Sequence, residues 1–241
     1  MAPIVTGRRP GPKPLLPAGA LPFRRRLLSW YARHRRRLPW RGVRDPYAVL
    51  VSEIMLQQTQ VARVREFYPR FLARYPTLED LAAAPADAVR ESWDGLGYYA
   101  RARNLHAAAR AVVKKLGGRL PRRAEKLRAL PGIGRYTAGA VASLAFGADV
   151  PAVDTNAARV LARVFAVRGR RKSTRRERRV WALAAALVPR GRSADWNQAL
   201  MDLGATYCVA RKPRCQHCPV CRRCATGRMR VDREKETSRR R

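Results

Sequence analysis

Three observations predict an all-α fold. Apolar residues recur with helical period through most of the 241 residues, strand-like alternation is almost absent, and helix starts and stops separate the periodic stretches. With 46% hydrophobic residues, a chain of this length can bury one large core or two modest ones. The periodicity predicts helices over 23–36, 46–59, 61–74, 86–93, 100–116, 123–130, 137–146, 155–166, 175–188 and 196–207. Asp45-Pro46, Thr77 and Asp154 have the character of helix starts, and Pro131, Pro151 and Pro189 mark helix ends. No internal repeat is present. Residues 1–20, rich in proline and glycine, and 226–241, rich in arginine, are expected to be disordered.

Charge narrows the partner. The formal net charge is +35, of which the two tails, 1–26 and 225–241, hold +10 and the folded body +25. A field of that size attracts polyanions, nucleic acid first, although arginine scattered over solvated faces accounts for part of the excess. The N-terminus lacks an uninterrupted apolar stretch of signal-peptide length and no later stretch approaches a membrane span, so the expectation is a cytoplasmic, nucleoid-associated protein with no membrane partner. All five cysteines fall between Cys208 and Cys224, which suits a metal site in a reducing compartment better than a disulfide framework.

The most informative segment is Leu130-Pro131-Gly132-Ile133-Gly134-Arg135-Tyr136-Thr137. Gly132 and Gly134 follow a Leu-Pro stop and precede a helical run, which predicts a tight hairpin between two helices. Its outward N–H groups and the start of the next helix form a place for a phosphate, a grip on DNA that reads no bases. An ordinary helix–helix turn is the alternative.

Two carboxyls stand out. Residues 47–56 contain one charge, Glu53, so its carboxyl lies on a mostly apolar helix and desolvation raises its pKa toward neutrality, as a general acid requires. Gln57, a turn further along the same helix, and Gln58 beside it are placed to hydrogen-bond to bases. Asp154 occupies a helix N-cap, where N–H donors are expected to keep it ionised. A proton donor and a persistent anion are what cleavage of a glycosidic bond uses. Each has a structural alternative: Glu53 pairing with a buried arginine, Asp154 acting as a cap alone.

From Trp30 to Cys224 the chain resembles the helix-hairpin-helix DNA glycosylases that carry an iron–sulfur cluster, and most closely the catalytic domain of the MutY-type adenine glycosylases. The resemblance rests on Leu38-Pro39-Trp40-Arg41, Asp45-Pro46-Tyr47, the run from Ser52 to Val61, Gly95 to His106, Leu130 to Ala140, Asn197 to Ala205 and the cysteines. It implies a two-lobed fold, with a six-helix lobe over 38–148 and a cluster lobe from 21–37 plus 149–225. It also implies that Glu53 protonates adenine at N7 and that Asp154 stabilises the sugar cation, with Tyr136 and Asn156 among the catalytic residues. Gln57 and Gln58 would enter the opened duplex, and Tyr98 would insert beside the orphaned purine. Gly132, Gly134, Arg211 and Lys212 would meet phosphates. Relatives of the endonuclease III type carry a lysine at the position of Tyr136, where its amine forms a Schiff base; a phenol cannot, so the resemblance implies a monofunctional enzyme that leaves an intact abasic site.

The spacing Cys208, Cys215, Cys218, Cys224 matches that family's ligand set for a [4Fe–4S] cluster and leaves Cys221 outside it. Cys215, Cys218, Cys221 and Cys224 with His217 also allow zinc. The implied partner is mismatched double-stranded DNA, bound by a monomer. Two departures stand out: longer members continue into a domain that reads 8-oxoguanine whereas this sequence ends at Arg241, which puts opposite-base preference in doubt, and Thr155 stands where many members have glycine. The other readings are a thymine or uracil glycosylase acting on G·T or G·U mismatches, and a non-catalytic DNA-binding module.

Overall fold

The computed structural model describes residues 16–170 and 173–239; the residues expected to be disordered at 1–15 lie outside this range. Among the described residues it contains twelve α-helices and no strand. They are α1 (Ala20–His34), α2 (Pro46–Met55), α3 (Val61–Arg74), α4 (Leu78–Ala83), α5 (Ala86–Glu91), α6 (Ala100–Leu116), α7 (Ala124–Leu127), α8 (Arg135–Leu144), α9 (Thr155–Val164), α10 (Thr174–Leu187), α11 (Ser193–Thr206) and α12 (Ala225–Arg239). No helix among them is long and apolar enough to cross a membrane.

Apolar packing falls into two clusters. One gathers α2, α3, α6 and α8 around Val51, Met55, Val64, Trp93, Leu105 and Val141. The other joins α1 to α9, α10 and α11 around Phe23, Leu27, Leu161 and Trp196, so α1 packs with helices far along the chain. Burying these side chains supplies most of the drive to fold. Ala140, Ala152 and Met201 form a small third patch between the two, against which Tyr136 and Leu144 pack.

Polar ties cross between the same parts. Buried Asn197 on α11 donates from Nδ2 to Ser143 Oγ and Val150 O, both at 3.0 Å, and its Oδ1 accepts Ala152 N–H at 3.1 Å. Every hydrogen-bonding group of that amide is used, so the segment leading to Asp154 is fixed to α8 and α11.

Three local features differ from expectation. α2 stops at Met55 instead of 59, and Gln57 and Gln58 lie in the turn beyond it, with Gln58 in the left-handed region at φ 56°. Thr77 starts a six-residue helix, α4, that the periodic stretches did not include; its cap is a full capping box with Asp80. The tail expected to be disordered from 226 is helix α12, held at its first turn by Thr226 Oγ1, which donates to Arg163 O at 2.9 Å, and by packing of the helix against α9.

Candidate active site

The cap of α2 is set by Asp45, whose Oδ1 accepts Ala48 N–H at 2.6 Å, and by Pro46 in the first turn. Every residue of α2 from Tyr47 to Met55 is buried. Glu53 is 4% exposed, and burial pushes its pKa from 4.5 up to about 7. The Tyr136 hydroxyl, donating to Glu53 Oε2 at 2.6 Å, and the Arg41 cation pull the value down, and Asp154 pushes it up. At neutral pH the carboxyl therefore stands near half-protonation, the condition for a general acid.

Asp154 caps α9. Its Oδ1 accepts Ala157 N–H at 2.7 Å and its Oδ2 accepts Asn156 Nδ2–H at 2.9 Å. These bonds do not lower its pKa on balance: burial raises it, and the Ala157 and Asn156 bonds and Arg159 oppose that rise. Asn156 is itself held, because Arg159 Nη2 donates to its Oδ1 at 2.6 Å. The same guanidinium donates to Gly204 O at 2.8 Å and Cys208 O at 2.7 Å. Gly204 has no side chain because there is no room: a Cβ there would lie 2.6 Å from Asn156 Cβ.

Glu53, Tyr136, Asp154 and Asn156 line one cavity of about 600 Å³, which Gln57 and Gln58 also line. Two charge-bearing walls escaped sequence reading. Arg36 and Arg41 line the same cavity and share the fully buried carboxylate of Asp202, Arg41 Nη2 and Arg36 Nη2 each at 2.7 Å. Trp40-Arg41 and Asp202 sit in the motifs noted above, but no spacing rule links residues 161 positions apart.

The hairpin between α7 and α8 is partly as expected. Gly132 adopts φ 70°, and a Cβ there would also strike Asn104, so glycine is required twice over. Gly134, by contrast, is extended at φ −79°, a conformation any residue adopts; it caps α8 without a side-chain bond, leaving the first N–H groups of that helix without a capping side chain. Ile133 is buried and anchors the hairpin while Pro131, Gly132 and Gly134 are exposed. Tyr98 is 59% exposed at φ 52°, and Gln57 Nε2 donates to Thr137 Oγ1 at 3.3 Å.

The five cysteines line a second cavity between α9, α11 and α12, and none forms a disulfide. Burial pushes the Cys218 thiol up to about 12 and the Cys224 thiol up to about 11, and the neighbouring cysteines add to both shifts. Several sulfurs already receive N–H donors, among them Cys208 from Arg163 Nη1 at 3.4 Å, Cys224 from Gly227 N at 3.2 Å and Cys218 from the Val220 backbone. Donors of that kind stabilise thiolates. Among the described residues no group of three or more His, Cys, Asp or Glu side chains converges as placed on a single ion. Arg211 and Lys212 lie exposed on the loop between Cys208 and Cys215.

Residues 51–185 match the family model for HhH-GPD superfamily base excision DNA repair proteins. The adenine DNA glycosylase of Mus musculus is 51% identical over 207 residues, covering 82% of this chain, and the chain spans 40% of that protein's length. The structure of a thermostable thymine-DNA glycosylase superposes with a TM-score of 0.81 at 35% identity, over 88% of this chain and 97% of the other. A trapped endonuclease III–DNA covalent intermediate superposes with a TM-score of 0.74 at 26% identity, over 88% and 96% respectively.

Proposed function

The chain belongs to the HhH-GPD superfamily of base excision DNA repair proteins, and on that premise we propose that it hydrolyses the N-glycosidic bond of adenine mispaired with guanine or 8-oxoguanine. The observation that carries this reading is the shared cavity: a carboxyl with a pKa near neutrality and a hydrogen-bonded second carboxyl face one space. Neutral adenine is a poor leaving group until protonated, and it must leave the stack to be reached. Protonated Glu53 gives its proton to N7. The C1′–N9 electron pair departs with the base, the Asp154 carboxylate faces the cationic sugar, and water adds at C1′ and loses a proton. Tyr136 holds Glu53 in position by its hydrogen bond, and Asn156 does the same for Asp154.

A phenol in place of an amine at position 136 supports a monofunctional reaction. Incubation with borohydride should therefore trap no covalent enzyme–DNA adduct. The G·T duplex is the rival substrate, favoured by the thymine-DNA glycosylase structural neighbour. Abasic-site release from A·G, A·8-oxoguanine and G·T duplexes separates the two; release from G·T alone would overturn the adenine assignment.

The pH profile follows from the two carboxyls. Glu53 acts protonated, so single-turnover excision should fall above about pH 7, approaching tenfold per unit. Asp154 acts ionised, and its raised pKa moves the acid limb above the ordinary aspartate range. A profile flat from pH 6 to 9 would remove Glu53 as the proton donor.

Cys208, Cys215, Cys218 and Cys224 would hold a [4Fe–4S] cluster: their spacing is the family's, and the cavity they share with Cys221 and the N–H donors on their sulfurs support a metal site there. Such a cluster would fix the loop that offers Arg211 and Lys212 to phosphates. The clustering of all five cysteines suits a metal site in a reducing compartment, which supports a cytoplasmic setting, and the substrate on this reading is a mismatched duplex.

A further inference from the structure

The Arg101 side chain is buried without a carboxylate among its hydrogen-bond acceptors. Its Nη1 reaches Met55 O at 2.8 Å, Ile54 O at 3.2 Å and Gln57 O. Its Nη2 reaches Thr59 Oγ1 at 2.9 Å, Gly97 O at 2.9 Å and Leu96 O at 3.3 Å. The cation also lies 5.3 Å from the Tyr98 ring centroid and 5.7 Å from that of Trp93. One guanidinium thus closes the C-terminal end of α2, where carbonyls lack helical partners and the dipole favours a cation, and fastens it to the loop before α6.

Two of the four non-glycine residues in the left-handed region among the described residues flank this guanidinium, Gln58 in one segment and Tyr98 in the other. Such backbones persist only where surrounding bonds over-determine them, and Arg101 supplies bonds to both segments. A lysine at 101 would offer three donors on a point charge, too few and too rounded to reach both sides.

We propose that Arg101 is a positioning residue that makes the Gln57–Thr59 turn and the Gly95–Tyr98 loop one preformed probe of opened DNA. Gln58 and Tyr98 then engage a mismatch together, and either alone gains little. The proposal rests on the DNA glycosylase reading given above for this cavity.

The test uses the full chain and two duplexes, one fully matched and one holding a non-hydrolysable 2′-fluoro-adenosine opposite 8-oxoguanine. Arg101→Lys should weaken mismatch binding and slow single-turnover excision about tenfold each, with matched-duplex binding changed less than about twofold, since the hairpin grip is untouched. In the native background Gln58→Ala and Tyr98→Leu should be non-additive, the double variant resembling the worse single one; in the Arg101→Lys background the two losses should add. Equal loss on both duplexes, or unchanged non-additivity in the lysine background, overturns the proposal. Should Arg101→Lys fold poorly, Thr59→Val removes one tie and must show the same selective loss. If Gln58→Ala and Tyr98→Leu leave mismatch binding unchanged in the native background, the DNA-probing role of these residues fails, a result separate from failure of their coupling.

Discussion

Glu53→Gln should abolish adenine excision while making the protein more stable at alkaline pH. The amide keeps the shape and can still accept the Tyr136 hydroxyl proton, but it has no proton to deliver to N7. General acid catalysis is worth about 100- to 10,000-fold, and the single-turnover rate should fall within that range. The stability gain follows from the same burial. Between the unfolded value of 4.5 and the folded value of about 7, the folded chain holds a proton that the unfolded chain has released, so stability is lost as pH rises through this window. Above it the wild-type protein retains a buried carboxylate at a cost of about 3 kcal/mol, which the neutral glutamine avoids. Denaturant unfolding at pH 8 should show the variant more stable by up to that amount, and below about pH 4.5 the difference attributable to ionisation should vanish. A variant that keeps excision within tenfold of wild type, or whose stability gap does not depend on pH, contradicts the role assigned to this carboxyl.

Local chemistry made part of this design legible in the sequence and left the rest hidden. Asp45-Pro46 announced the start of α2, and one charge among ten residues announced that Glu53 would be buried. Both are properties of a single helix. The end of α2 is another matter, because its last carbonyls are closed by Arg101, which lies 46 residues beyond Met55. A reader of residues 46–59 alone continues the helix, and Gln57 and Gln58 are then assigned to a face they do not occupy. The same limit applies to Arg36 and Arg41, whose common anion Asp202 comes from α11. For Asp154 the capping bonds were visible in the sequence, but the desolvation that opposes them depends on how α8, α9 and α11 pack, and it decided the direction of the shift. The expectation of disorder from residue 226 failed for a related reason. The composition of α12 favours solvent, while its first turn is fixed by Arg163 and the cysteine cavity.

The second large effect is expected at Asp154. Asparagine is as good an N-cap as aspartate, so Asp154→Asn should keep the bond to Ala157 N–H and the start of α9. What it loses is the charge facing the sugar cation, and a preorganised electrostatic contact of this kind is worth about 100- to 1,000-fold in rate. A second consequence comes from the neighbour. Asp154 accepts through both oxygens, and with one of them used for Ala157 the new amide would turn its NH₂ toward the NH₂ of Asn156. Asn156 cannot flip to relieve this, because its Oδ1 already accepts from Arg159. Two half-buried donors left facing each other should cost stability at the low end of about 1–3 kcal/mol. Adding Asn156→Ala removes the opposing donor, and Arg159 still holds Gly204 O and Cys208 O, so most of that stability should return. Excision should not return, because no anion has been restored. Measuring thermal unfolding and single-turnover excision across wild type, both single variants and the double variant therefore separates charge from packing. If the double variant recovers rate together with stability, Asp154 serves α9 as a cap and the cavity has lost its counter-anion.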